Sequence, residues 1–184
     1  MTLDHTAVLQ AETQQPVIAA DRFVLRPLRQ SDAGLIALHA GDRRVAEMTR
    51  DIPHPLPPGA AEALIRKATS GETGEVIWAL DGSASGHAEV IGLIALEPMG
   101  RRQSEITYWV APAFWNSGIA TEAVETLMAA NPLGDGTTYA EVFQDNPGSA
   151  RVLTNAGFDY LGDAEAYSVA RGAMVPTWTY VRRM

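Results

Sequence analysis

A chain of 184 residues amounts to about one domain at the usual ~150 residues each, and it is long enough to bury a full core without covalent staples. Hydrophobic residues make up 46% and charged residues 20%; with no cysteine, the chain has no thiol nucleophile, disulfide framework, iron–sulfur cluster or cysteine–zinc site. The formal net charge of −8 argues against a broad electropositive surface for duplex nucleic acid and suits cationic partners.

Residues 1–15 are polar, carry Asp4 and Glu12, and read as a flexible tail. They lack the basic start and apolar stretch of a secretory signal. Residues 17–28 are rich in apolar side chains and predict a first strand, stopped at Arg26-Pro27-Leu28. Ser31-Asp32 offers N-cap chemistry for a helix through Leu35, Ile36, Leu38 and His39. Residues 51–59 hold four prolines, Pro53, Pro55, Pro57 and Pro58, and must form an irregular loop before a second helix at 60–68.

The period then shortens. Residues 76–80 and 90–96 predict strands joined by a glycine- and serine-rich hairpin loop at 81–86. A further strand spans 105–110, ended by Ala111-Pro112, and a helix spans 118–130. After a turn at 131–136 come a strand at 137–143, a short helix at 149–156 and a last strand at 175–182. Residues 16–184 read as a single domain of α+β class with a largely antiparallel sheet. No apolar run approaches the ~20 residues that cross a bilayer, so no membrane association and a cytoplasmic location are expected.

Between the strand at 105–110 and its helix lies Trp115-Asn116-Ser117-Gly118-Ile119-Ala120-Thr121. Small residues opening a helix leave unpaired N–H groups facing outward, and the helix dipole adds positive potential, which suits a phosphate. By itself such a segment is also an ordinary strand-to-helix turn. Further on, Asn146-Pro147-Gly148-Ser149-Ala150-Arg151-Val152-Leu153 leads to Gly157-Phe158. Ser149 suits a helix N-cap there and Gly157 a helix terminator. The four histidines His5, His39, His54 and His87 have no metal-ligand spacing, so no metal is expected.

In this order, the segments resemble the GNAT superfamily of acetyl-CoA-dependent N-acetyltransferases, in particular the RimJ/RimL-type branch of ribosomal-protein N-terminal acetyltransferases. Gly118 and Ala120 match the family's Arg/Gln-x-x-Gly-x-Gly/Ala acyl-CoA motif, and Asn146 to Leu153 its Asn-x-x-Ser-x-Arg-Val-Leu motif. Glu105-Ile106-Thr107-Tyr108-Trp109-Val110 looks like the preceding strand; Arg22 to Leu28 and Ile52-Pro53-His54-Pro55 resemble the opening strand and the proline-rich loop. The likeness runs from residue 17 to the end. Asn116-Ser117 departs from the branch's usual Gly-Lys, removing a cation, and Thr107 replaces a glycine.

The resemblance implies the GNAT-like acyl-CoA N-acyltransferase fold: a mixed, mostly antiparallel sheet with two splayed central parallel strands, here 105–110 and 137–143, flanked by helices. It implies acetyl-CoA as co-substrate, held by Val110, Asn116, Ser117, Gly118, Ile119, Ala120, Thr121, Asn146 and Ser149. The N–H of Val110 is expected to face the thioester oxygen. An amine is mostly protonated at neutral pH, so a base is needed, and Glu105 is the candidate, direct or through water. Ser149 is the candidate donor to the departing thiolate. Thr107 and His54 are expected to line the acceptor site, with the loop at 162–174. The partners are acetyl-CoA and an amine acceptor, either a peptide N-terminus or a small amine, with no DNA and with a monomer or homodimer both open. The alternative is a non-catalytic acyl-CoA-binding regulator of the same fold.

Overall fold

The computed structural model describes residues 15–184. Its elements are β1 (Ile18–Ala19), β2 (Val24–Pro27), α1 (Ala33–Ala40), α2 (Arg43–Ala46), α3 (Ala60–Ser70), β3 (Val76–Asp81), β4 (Gly92–Gly100), β5 (Gln103–Val110), α4 (Ile119–Ala130), β6 (Thr137–Phe143), α5 (Pro147–Asn155), β7 (Asp159–Ser168) and β8 (Ala173–Arg183). The strands form one sheet in the order β1-β2-β3-β4-β5-β6-β8-β7. Only β5 and β6 run parallel; the other neighbours are antiparallel. This is the mixed α+β sheet that the resemblance implies.

Alternation along the strands sorts the core into two layers. Ile77, Ala79, Leu93 and Ala95 pack with Ile36 of α1 and Ala61 and Ile65 of α3. Trp78, Leu80, Ile94, Leu96 and Ile106 point the other way, onto Ile119, Ala123, Val124 and Leu127 of α4 and Leu153 of α5. The spacing of the α4 residues is the apolar stripe of a 3.6-residue period.

The decisive feature is where β5 and β6 stop pairing. Their register holds for Gln103↔Thr137, Ser104↔Thr138 and Glu105↔Tyr139 and goes no further. Above that point β5 stays with β4 as far as Val110, and β6 stays with β8 as far as Phe143. The sheet is therefore two half-sheets joined at one end and open at the other. The joined end is pinned: the buried Ser104 Oγ donates to Asp135 Oδ2 at 2.6 Å, and Gly136 N donates to Arg102 O at 2.8 Å.

Several expectations need correction. The single opening strand is a hairpin, β1 and β2, closed where Ala20 N donates to Phe23 O at 3.0 Å. Asp32 stands at the α1 N-cap position but makes no side-chain bond into that helix; its carboxylate accepts from Arg26 at 2.8 and 2.9 Å and from Arg29 N at 2.7 Å, the latter as part of a capping box on the 3-10 turn Gln30–Asp32 that leads into α1. Helix α2 was not foreseen; it is a single turn capped by Asp42, which accepts from Arg44 N at 2.9 Å. The expected loop at 162–174 is mostly strand, because β7 and β8 form a long hairpin. Residue 15 belongs to the fold rather than to a tail, since Gln15 Nε2 donates to Ile77 O at 2.8 Å. The rest of the expected tail lies outside the described residues. Residues 51–59 carry no regular element, and the His54–Pro55 peptide is cis.

Candidate active site

The turn after β5 delivers the start of α4 to the open end of the sheet. Asn116 and Gly118 both take left-handed backbone, with φ of 57° and 81°. At Gly118 a side chain would be strained by that φ and would also meet Arg22 Nη2 at 3.2 Å. The N–H groups of Ile119, Ala120 and Thr121 have no partner within the helix and carry its positive dipole end. Arg22 locks the turn from below, donating to Ser117 O at 2.7 Å and to Glu122 Oε2 at 2.6 Å.

This turn forms one wall of an open groove of about 630 Å³. Of the residues expected to hold the cofactor, Val110, Asn116, Gly118, Ile119, Ala120, Thr121, Asn146 and Ser149 line it. Ile119 is buried in the core and offers only its backbone. Ser117 is not among the lining residues: its hydroxyl donates back to Phe114 O and its carbonyl holds Arg22, so it shapes the turn. Cations come from elsewhere. Arg44 and Arg151 both line the groove, and the Arg44 guanidinium lies 5.7 Å over the Trp115 ring. Arg44 was out of reach of sequence reasoning because α2 was.

Val110 stands at the top of the opening. Ala111 N donates to Ile91 O at 2.9 Å, so Ala111 faces β4 and, by alternation, the N–H and C=O of Val110 face away from β4 into the gap. The carbonyl is taken by Trp115 Nε1 at 2.7 Å. The N–H is left pointing into the opening.

Across the gap, α5 begins earlier than its sequence suggests. Asn146 is the N-cap, accepting from Ser149 N at 3.2 Å, and Pro147 occupies the first turn. Ser149 is thus relieved of capping, and its hydroxyl lies 2.8 Å from the Tyr108 hydroxyl. Tyr108 also donates to Ser149 O at 3.1 Å. Burial pushes the Tyr108 phenol well above its ordinary range, against the opposing pull of the Ser149 hydrogen bond.

The opposite face of the sheet holds a second cavity, of about 350 Å³. Glu105, Thr107 and Trp109 line it from β5, and Ile52, Pro53 and Leu56 from the proline-rich loop. His54 is not among the lining residues; its Nδ1 is buried without a hydrogen-bond partner. A row of carboxylates crosses this floor. Glu97 pairs in register with Glu105, and the Val76↔Leu96 register sets Glu75 beside Glu97. Burial, then the charges of Glu97 and Asp51, push the Glu75 carboxyl up. Arg50 bridges the parted strands, with Nη1 3.0 Å from Glu105 Oε1 and 3.3 Å from Glu141 Oε2. Thr177 Oγ1 holds the other oxygen of Glu141 at 2.6 Å. Glu141 was missed, although alternation over 137–143 would have set it on this face with Tyr139.

The two cavities share Met48, Thr49, Tyr108, Trp109 and Ser149. They meet where the strands have parted, so a molecule in one can be attacked from the other.

A model of the acetyltransferase (GNAT) domain matches residues 22–159. The uncharacterized N-acetyltransferase YoaA of Bacillus subtilis (strain 168) is 25% identical over 170 residues, covering 90% of this chain and 95% of that protein. Mycobacterium smegmatis RimJ, solved in complex with CoA-disulfide, aligns with a TM-score of 0.75 at 18% identity over 91% of this chain and 86% of that one. Spermidine N-acetyltransferase from Vibrio cholerae, solved with CoA and spermine, aligns with a TM-score of 0.74 at 18% identity over 88% of this chain and 95% of that one. At such identities these two structures speak for the fold.

Proposed function

Because the chain belongs to the GNAT acetyltransferase family and is an acetyl-CoA-dependent N-acetyltransferase, we propose that it transfers acetyl to a primary amine by direct attack in a ternary complex. The acceptor is a protein N-terminal α-amine or a small amine. The observation that carries this reading is the meeting of two cavities at the gap between β5 and β6, one behind the α4 N-terminus and one over the carboxylate row.

Acetyl-CoA lies in the larger groove. Its phosphates take the free N–H groups at the start of α4, with Arg44 and Arg151 supplying charge. The pantetheine arm runs into the gap, and the thioester oxygen meets the Val110 N–H, which stabilises the oxyanion as the amine adds. Glu105 lies five positions from Val110, about 16 Å along the strand, so Glu105 takes the amine's proton through a chain of waters rather than directly. The C–N bond forms, the C–S bond breaks with its electron pair on sulfur, and the Ser149 hydroxyl hydrogen-bonds the sulfur as it gains charge.

Glu75, Glu97, Glu105 and Glu141 face one arginine across the acceptor cavity. Like charges opposed across strands are destabilising unless countered. This supports an acceptor with positive charge beyond its reacting amine. The test is free-thiol release from acetyl-CoA against a panel of N-terminal peptides and polyamines. Turnover with a cationic member is the expected result; tight CoA binding with no turnover on any amine would return the reading to an acyl-CoA-binding regulator.

A further inference from the structure

We propose that Tyr108 is the positioning residue for Ser149: its hydroxyl holds the serine oxygen so that the serine proton is aimed at the departing sulfur. The inference rests on the reading of Ser149 as the group that meets the leaving thiolate.

Ser149 lies in the first turn of α5, where a serine hydroxyl is otherwise free to swing toward nearby backbone or toward water. Here Asn146 takes its N–H, and Tyr108 stands within hydrogen-bond reach of both its hydroxyl, at 2.8 Å, and its carbonyl oxygen, at 3.1 Å. A phenol has one proton to donate and lone pairs to accept with. Two arrangements follow. With the phenol proton on the Ser149 carbonyl, the serine proton turns toward Tyr108 and away from any sulfur. With the phenol proton on Ser149 Oγ, the serine proton is released for another acceptor.

Negative charge building on sulfur favours the second arrangement, because it supplies that acceptor. Burial and the resulting upward push on the phenol keep Tyr108 protonated, so it donates a hydrogen bond without giving up its proton. No proton passes from Tyr108 to sulfur.

The placement on β5 adds a geometric reason. Tyr108 and Val110 are alternate residues of one strand in its unpaired stretch, about 7 Å apart along the chain. One rigid strand thus sets the donor for the thioester oxygen and the support for the donor to its sulfur. Tyr108 also lines both cavities, where the proposed reading puts the thioester.

The experiment is a double-mutant cycle on single-turnover acetyl transfer with Tyr108→Phe, Ser149→Ala and both together, alongside the thiolate absorbance of bound CoA titrated against pH. Loss of one hydrogen bond predicts a rate about five- to tenfold lower for Tyr108→Phe, with acetyl-CoA affinity unchanged. The double variant should be no slower than Ser149→Ala alone. Each single variant should shift the bound-CoA thiol titration upward. Multiplying effects, or Tyr108→Phe at the full rate while Ser149→Ala is slow, would overturn the proposal for Tyr108 alone. A full rate and an unshifted titration for Ser149→Ala would remove the serine reading, and the proposal with it. If Tyr108→Phe is unstable, 3-fluorotyrosine at position 108, nearly isosteric and more acidic, decides: a bound-CoA thiol titration moved downward supports a phenol that donates to Ser149, and a titration unmoved or moved upward overturns it.

Discussion

Arg50 sets one guanidinium between carboxylates of two strands at the point where they part, 3.0 Å from Glu105 and 3.3 Å from Glu141. Burial works against its charge, and Glu105 and then the neighbouring acids more than restore it, so the arginine stays firmly cationic. It thereby leaves Glu105 engaged at the floor of the second cavity, where, on the proposed reading, an arriving ammonium competes for the same carboxylate. If Glu105 is the base, Glu105→Gln lowers the single-turnover rate about a hundredfold or more while calorimetry finds unchanged CoA affinity. Gly118 carries the other residue-level prediction. Gly118→Ala forces an L side chain to φ 81° against Arg22 and costs about 1 kcal/mol or more. Calorimetry should then show weaker CoA binding, since the helix start is displaced. Gly118 could be found from its motif, but Arg22 could not be given its task, because its partners Ser117 and Glu122 lie about a hundred positions on.

At the scale of elements, legibility followed burial. Strand β6 lies where its apolar alternation predicts, over Thr137–Phe143, and α4 begins within a residue of its expected start, because both bury a face against the core. Strand β7 was invisible because it lies at the sheet edge with only Ala166 and Ser168 buried, so nothing imposes a hydrophobic period on it. What holds it is main-chain pairing with β8, which leaves no mark on composition. The β2–β3 corner depends instead on charge. Arg26 donates to Asp32 at 2.8 and 2.9 Å and to Asp81 at 2.6 Å, all three buried. Burial alone would push the Asp81 carboxyl up, but the hydrogen bonds from Arg26 and Ser83 outweigh it and hold it below its usual range. A carboxyl depressed in the folded chain lends stability that is fully present above the unfolded value of about 3.9 and lost as pH falls through the folded one. The share of the melting temperature that Asp81 supplies, read as the difference between the chain and Asp81→Asn, should therefore hold level from neutral pH down to about 5 and shrink below about 4. Asp81→Asn should melt lower at pH 7 and lose part of that acid slope.

Across the whole molecule, the sheet separates two charge environments. The groove behind α4 carries Arg44 and Arg151 beside a helix N-terminus, whereas the cavity on the other face is floored by carboxylates. On the proposed reading an anionic donor and a cationic acceptor are each drawn to their own side, within a chain of net charge −8. Raising ionic strength from 0.05 to about 0.5 M should raise KM for both substrates, more steeply for the more highly charged acceptors, with kcat little changed. A KM for a polyamine that ignores salt would dissociate the carboxylate row from acceptor binding. The order of motifs made this architecture legible, because the resemblance names which two strands part. The row Glu75, Glu97 and Glu105 was not legible, since its members come from three chain segments and only their register brings them side by side.

The parting of β5 and β6 has a further consequence, for the chemistry of the amides themselves. Tyr108 and Val110 lie in the middle of the sheet, yet their N–H groups face a neighbour that has turned away. In deuterated buffer these two positions should exchange their amide hydrogens far sooner than Trp109 between them, whose N–H stays paired to β4. Filling the gap with CoA should slow them selectively. A mid-sheet pair that exchanges like a loop when empty and like a strand when occupied would time the arrival of the donor, with no attached probe and no acceptor present.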